Sequence, residues 1–277
     1  MISQFGQAEW LLELCKALGV INGHVFEAGA QSPHAISNSR CFIQEGWQAT
    51  LVEILEEHCN EWMQLNLPNV NIFNKPIPYR KSGLDEIIKE VCNAELDVLF
   101  LDIDGSEYHQ IDGLNSSRPK FICVEYDNAY PLNIRYVPKQ MRHSVKSAQA
   151  SSVSTYELLS QKGYVYLKSF FLDHIFIEES FMLSNLETIN NLGIKHGFKH
   201  FLLNAPKHLY NIGAVLTNQA EGEAHKGIDF YSEKLENLIN HSQMLEASSF
   251  YNTIILGIES YKSQISEKKV TNTPRAS

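Results

Sequence analysis

The segment 96–108, LDVLFLDIDGSEY, constrains the fold more than any other part of this sequence. Its apolar run, 98–101, has the length and composition of a strand that is buried on both faces. Asp102 and Asp104 follow the run directly. Because acids at the end of a buried strand are costly, they mark this segment as a candidate site.

A second segment repeats the pattern. FICVEYDNA, 121–129, is again an apolar run that breaks into acids, Glu125 and Asp127. In open α/β sheets, ligands bind beyond the carboxyl ends of the strands, so two neighbouring acid-ended strands would build one acidic site. For a single Asp the competing interpretation is a turn or a helix cap, because Asp is a common turn residue.

Strand-like and helix-like segments alternate along the first two thirds of the chain. This alternation predicts an α/β fold with a doubly wound, Rossmann-like and mostly parallel sheet. A helix at 154–161 and two strands at 164–170 and 174–178 predict a C-terminal antiparallel hairpin at the edge of the sheet. The earlier elements are expected as helices at 7–18, 37–45, 56–67 and 83–95 and strands at 25–26, 47–55 and 69–77.

The predicted domain organisation has four parts. An N-terminal helix occupies 1–20, the Rossmann-like domain 21–182, a helical C-terminal appendage 183–268, and a disordered tail 269–277. The appendage carries no chemical motif. We expect it to cover a groove or to form a homodimer.

Composition limits the partners. With 44% hydrophobic and 20% charged residues the chain is globular, and its net charge is −9 with no dense Lys/Arg cluster. Nucleic acid and membrane are therefore disfavoured, and a small-molecule substrate is expected. The five scattered cysteines, the absence of a signal peptide and the lack of an apolar run of about 18 residues favour a cytoplasmic protein with reduced thiols.

Two residues are placed as in a nucleotide-binding βαβ unit. Gly29 follows the first strand directly, and a glycine there lets the backbone approach a ligand. Glu53 ends the second strand, 24 residues after Gly29. This is close to the spacing of about 20 residues at which an acid accepts the hydroxyls of an adenosine ribose. A full G-x-G-x-x-G motif is absent.

The segment 129–152 is polar and has no clear period, so we expect a long loop that acts as a lid or a substrate loop. Its reactive side chains are His143, Lys146 and Ser151.

Four stretches together resemble the class I S-adenosylmethionine (SAM)-dependent methyltransferases, and in particular a branch related to the FkbM-type enzymes. They are VFEAGAQSPHAISNSRCFIQEGWQATLVE, DVLFLDIDGSEYHQIDGL, RPKFICVEYDNAYP and STYELLSQKGYVYL, and the resemblance covers roughly residues 20 to 180. The glycine loop departs from the common pattern, since Ala28 and Gln31-Ser32-Pro33 stand where further glycines often lie.

The resemblance implies a cofactor site. The methionine end of SAM would contact the first strand and its loop, Glu53 the ribose, and the region of Asn74 the adenine. Asp102 would lie where the sulfonium and the substrate meet. The implied cofactor-binding residues are Glu27, Gly29, Gln31, Asn38, Glu53, Asn74 and Asp102, and the implied substrate-binding residues are Asp104, Glu125, Asp127 and Asn128.

Two chemistries fit the acids. In the first, Asp102, Asp104 and either Glu125 or Asp127 bind a divalent ion such as Mg²⁺, which lowers the pKa of a bound alcohol. In the second, an acid such as Asp102 or one of the histidines His109 and His143 acts as general base. Either chemistry suits O-methylation of a small hydroxylated molecule, with a sugar or a natural-product intermediate as the leading acceptor and nitrogen or phosphate-type oxygen as alternatives.

Other classes fit less well. DIDGS resembles the first motif of haloacid dehalogenase-type phosphatases, but their later G-D-x-x-x-D loop is missing. A nicotinamide-dependent oxidoreductase would need the absent glycine motif. A metal site from His196, His200 and His208 lacks the nearby acid of metalloproteases. A non-catalytic binding protein that keeps the fold is the main alternative from a different class.

Overall fold

The computed structural model describes residues 3–92, 94–127, 135–139, 149–170 and 172–204. In this part of the chain seven strands form one sheet in the order β3-β2-β1-β4-β5-β7-β6. The strands are β1 His24–Ala28, β2 Gln48–Glu53, β3 Val70–Asn74, β4 Val98–Leu101, β5 Phe121–Glu125, β6 Tyr164–Ser169 and β7 Asp173–Glu178. The first five are parallel, whereas β7 pairs antiparallel with both β5 and β6.

Helices cover both faces of the sheet. They are α1 Gln7–Ala17, α2 Arg40–Gln44, α3 Glu56–Gln64, α4 Gly83–Val91, α5 Glu107–Gly113, α6 Ser152–Gln161, α7 Glu179–Ser184, α8 Leu186–Asn191 and α9 Gly197–Asn204. Successive strand residues alternate between two apolar cores: Val25 and Phe100 belong to one, Phe26 and Leu99 to the other. Because both faces are covered, β4 is apolar throughout, as predicted from 98–101. The doubly wound, mostly parallel sheet and its terminal antiparallel hairpin are confirmed.

One helix is shorter than its sequence predicts. The pattern predicted a helix from Ser37 to Glu45, but α2 begins only at Arg40. The backbone N–H groups of Asn38 and Ser39 donate to the buried carboxylate of Glu27 instead. The start of the predicted helix is therefore a loop that wraps this acid.

The C-terminal part is helical as far as it is described, with α7, α8 and α9 following the hairpin. The rest of the predicted appendage, the homodimer expected through it, and the tail 269–277 lie outside the described residues. Within the described residues, no helix combines the length and apolar character needed to span a bilayer. All five cysteines are free thiols.

Candidate active site

A cavity of about 500 Å³ opens at the carboxyl ends of β1, β2 and β4. Four of the predicted cofactor residues line it: Gly29, Gln31, Glu53 and Asp102. They come from three separate strand ends, which the parallel sheet brings to one edge. The structure thus assembles the site at the place where open α/β sheets bind ligands.

Gly29 is required by the packing of two strand ends. Its φ is +83°, and a Cβ at this position would lie 1.7 Å from the carbonyl oxygen of Asp102. The backbone that follows β4 occupies the space a Cβ would need, so Gly29 sets the position of Asp102. Gly29 also lines the cavity, and its predicted close approach to a ligand stays a prediction.

Glu53 is fixed at the rim of the cavity. It is 4% exposed, its Oε2 accepts from Gln31 N and its Oε1 from Leu55 N, each at 2.8 Å. The Gln31 carbonyl in turn accepts from Trp62 Nε1 at 2.9 Å. A carboxylate has about four lone-pair sites, so Glu53 keeps two for a ligand. Two hydroxyl groups of a ribose match that capacity.

The outer wall of the cavity is apolar. Ile54, Leu55 and Tyr79 line it and are 51%, 48% and 50% exposed. Asn74 stands beside this wall, but its amide donates to the carbonyl oxygens of Glu53 and Ile54 at 3.1 and 2.9 Å. It therefore supports the turn after β2, and its predicted contact with adenine stays a prediction.

Glu27 and Asn38 hold the loop before α2. Glu27 is 1% exposed and accepts from Asn38 N at 2.9 Å and from Ser39 N at 3.0 Å. Burial raises its pKa to about 7 despite these hydrogen bonds. Asn38 Oδ1 accepts from Gln7 Nε2 at 2.9 Å. Neither residue is among those that line the cavity, so their direct contact with the cofactor stays a prediction.

Two acids that line the cavity, Asp102 and Asp104, meet a third acid, Glu125. One carboxylate oxygen from each of Asp102, Asp104 and Glu125 lies within 4.8 Å of the other two, and we call these residues the acidic cluster. Leu101 pairs with Val124, which brings the next residues, Asp102 and Glu125, side by side. Burial and the charge of Asp104 raise the pKa of Asp102 to about 6. Burial and the charge of Asp102 raise that of Glu125 well above its usual range.

A strained turn presents Asp104 to the cluster. Three successive residues have positive φ: Asp104 (55°), Gly105 (127°) and Ser106 (82°). The buried Glu107 holds this turn, because its Oε1 accepts from Ile103 N at 3.1 Å and from Gly105 N at 2.8 Å. Burial raises the pKa of Glu107 to about 8. Backbone strain of this kind persists where surrounding contacts fix it and is frequent at functional sites.

Sequence reasoning missed Asp173. The predicted strand began at His174, but β7 begins one residue earlier, and Asp173 lies directly opposite Glu125. It is 5% exposed, and burial together with the charge of Asp102 raises its pKa to about 7. The available signal was an acid at the boundary of an apolar strand, the same signal that identified Asp102.

The remaining predicted residues have other places. His109 Nε2 lies 2.7 Å from the Pro138 carbonyl oxygen, and His109 is not among the residues that line the cavity. Asp127 is buried, and its N–H donates to the Ala150 carbonyl beside Ser151, the N-cap of α6. Among the described residues, the group able to hold a metal is the acidic cluster. Asn128, His143, Lys146 and His208 lie outside the described residues.

Five parallel strands and an antiparallel β7 inserted beside β5 define a doubly wound, Rossmann-like fold. No protein-family model and no curated protein matches the chain.

Solved structures similar to this chain include several methyltransferases. A TehB-like SAM-dependent methyltransferase from Corynebacterium glutamicum ATCC 13032 Kitasato shares 8% identity over 64% of this chain and 89% of its own, with a TM-score of 0.41. The N-terminal domain of EvdMO1 with S-adenosylhomocysteine (SAH) bound shares 13% over 64% and 80%, also with a TM-score of 0.41. A putative S-adenosylmethionine dependent methyltransferase from Listeria monocytogenes shares 10% over 62% and 96%, with a TM-score of 0.40. The relation to the FkbM-type branch stays a prediction.

Proposed function

We propose that this protein is a SAM-dependent methyltransferase that methylates an oxygen of a small hydroxylated molecule, such as a sugar or a natural-product intermediate. The observation that carries the proposal is the cavity of about 500 Å³, which is lined both by Glu53 and by two acids of the cluster, Asp102 and Asp104. A nucleoside-type donor and a reaction centre would need both kinds of group in one cavity.

The cavity suits each part of the donor. The two free lone-pair sites of Glu53 accept the ribose hydroxyls, while the exposed apolar wall of Ile54, Leu55 and Tyr79 packs against the adenine ring. The sulfonium then reaches Asp102, and the negative charge there favours a cationic group.

The acidic cluster suits a hydroxyl acceptor. Its carboxylates accept hydrogen bonds from hydroxyl groups, whereas without a bound cation they would repel a phosphate. Methyl transfer requires the acceptor oxygen in line with the methyl group at about 3 Å. The methyl carbon then forms a bond to that oxygen as its bond to sulfur breaks. The hydroxyl proton passes to a carboxylate of the cluster, and SAH leaves as a neutral thioether.

A divalent cation such as Mg²⁺ is part of the proposal. The three carboxylate oxygens, which lie within 4.8 Å of one another, suit a hard cation that prefers oxygen ligands. Asp102, Asp104 and Glu125 would hold it, and when bound it would lower the pKa of a coordinated hydroxyl.

A transfer assay tests the proposal. The protein is incubated with methyl-tritiated SAM and, separately, with each member of a panel of a hexose, an amino sugar, a sugar phosphate and a phenol, with and without Mg²⁺, and the tritium transferred to each acceptor is measured. We expect methylation of a member that has a free hydroxyl and no phosphate. Asp102→Asn should abolish it, while Glu187→Gln, an exposed acid on α8, should not change it.

Preferred methylation of the sugar phosphate or of the amine would contradict the proposed acceptor. SAH binding without transfer to any member would favour a binding protein that keeps the fold.

A further inference from the structure

We propose that Asp173 belongs to the divalent-cation site of the acidic cluster, as a fourth carboxylate that accepts a hydrogen bond from a water molecule on the cation. This inference rests on the proposed function, because it assigns a new residue to the same site.

The register of the sheet places Asp173 in a row with two members of the cluster. Asp173 pairs directly with Glu125 across β7 and β5, and opposed residues of antiparallel strands have Cβ atoms about 4.5–5.5 Å apart on the same face. Glu125 stands beside Asp102 in the parallel pairing of β5 with β4. The row therefore crosses three neighbouring strands at one edge of the sheet.

The neighbours of these residues confirm the common face. Two residues before Asp102 and Glu125 are Phe100 and Cys123, and two residues after Asp173 is Ile175. All three belong to the same apolar core. Because side chains alternate along a strand, the three acids continue the same face beyond this core.

Asp173 is buried without a partner. It is 5% exposed, and within the described residues its carboxyl group takes part in no hydrogen bond and no ion pair. Two neighbouring buried acids do have partners: Glu125 accepts from Gln149 Nε2 at 2.6 Å, and Glu27 accepts from backbone N–H groups. An acid buried in this way is costly unless a ligand completes it.

The charge balance calls for a cation. No Lys or Arg side chain of the described chain forms an ion pair with Asp173 or with the acidic cluster. Lys75, the lysine that lines the cavity, is ion-paired with Glu90.

The geometry favours a hydrated divalent ion over an organic cation. The three clustered carboxylates converge within 4.8 Å, and Asp173 stands next to this set and outside it. Mg²⁺ keeps several of its waters when it binds to carboxylates, and outer carboxylates commonly accept hydrogen bonds from such groups.

The test uses Mn²⁺ as the probe. Its affinity is measured by the electron paramagnetic resonance of free Mn²⁺ for wild type, Asp173→Asn, Asp104→Asn and the control Glu187→Gln, which removes one negative charge far from the site. We expect saturable binding to wild type and a loss of affinity on the order of 10–100-fold in Asp173→Asn. Asp104→Asn should lose at least as much, and the control should match wild type.

Thermal unfolding without metal separates this role from a structural one. Asn keeps the shape of Asp173 and removes a buried acid that has no partner, so the melting temperature of Asp173→Asn should be no lower than that of wild type. Asp173→Ser serves as a second variant if the Asp173→Asn protein does not fold. Failure of both variants to fold would overturn the proposal, since it would show that the side chain supports the fold.

Two binding results would also overturn it: equal Mn²⁺ affinity in Asp173→Asn and wild type, or no Mn²⁺ binding to wild type. SAH binding in EDTA is measured in parallel. Retained SAH binding with failed Mn²⁺ binding overturns the cation site alone, whereas loss of SAH binding by wild type overturns the proposed function.

Discussion

Gly29→Ala tests the close approach of β1 and the end of β4, on which the position of Asp102 depends. The added Cβ would lie 1.7 Å from Asp102 O and 2.9 Å from Asp102 C, both under the 3.0 Å below which neighbouring atoms must shift. Alanine at a left-handed φ costs about 1–2 kcal/mol, and overpacking adds about 1–3 kcal/mol. We therefore expect the free energy of unfolding to fall by about 2–5 kcal/mol.

The matched control is Gly19→Ala. Gly19 also has a left-handed backbone, with φ +75°, but a Cβ there would meet nothing within 4 Å. The free energy of unfolding of Gly19→Ala should fall only by the backbone conformational cost, about 1–2 kcal/mol. Urea unfolding measures the loss in both variants, and each kcal/mol should lower the melting temperature by about 2–4 °C. Equal losses in the two variants would refute the argument that the Asp102 backbone fills the space beside Gly29.

Three further predictions concern the same edge of the sheet. Glu53→Gln turns an amide N–H₂ toward Gln31 N or Leu55 N and removes a charged acceptor. The dissociation constant of SAH, measured by calorimetry, should therefore rise about 10–150-fold. An unchanged constant would exclude ribose binding by Glu53. Trp62→Phe removes the donor to Gln31 O and should lower the free energy of unfolding by about 1–3 kcal/mol in urea, with no change contradicting the contact. In EDTA, the free energy of unfolding of the wild type should fall as the pH rises from about 5 to 8. The folded-state pKa values of Glu27 (about 7) and Glu107 (about 8) lie above the unfolded values. In this range the folded chain therefore keeps protons that the unfolded chain releases. Stability that rises over this range would contradict the burial of these acids.

The sequence predicted the features that depend on local pattern. The apolar run 98–101 and the acids after it identified a buried strand end, and the alternation of segments identified the parallel sheet. The spacing between Gly29 and Glu53 placed both at one cavity, because consecutive parallel strands end at the same edge. These features needed only the periods of strands and helices and the order of the elements.

Features that depend on tertiary contact were not predictable. The helix expected from Ser37 was shortened because its first N–H groups bind Glu27, a residue that the family resemblance had assigned to the cofactor. The role of Gly29 depends on the distance to another strand. Asp173 joins Glu125 only through the register of the terminal hairpin, and a shift of one residue would have turned it to the other face.

Calorimetric titration of SAH into the wild-type protein in EDTA tests the central claim most directly. The account predicts saturable binding in the micromolar range that Glu53→Ala abolishes and that the surface variant Glu187→Gln leaves unchanged. Absence of heat at millimolar SAH, in a protein shown to be folded, would contradict the assignment of the cavity to a methyl donor.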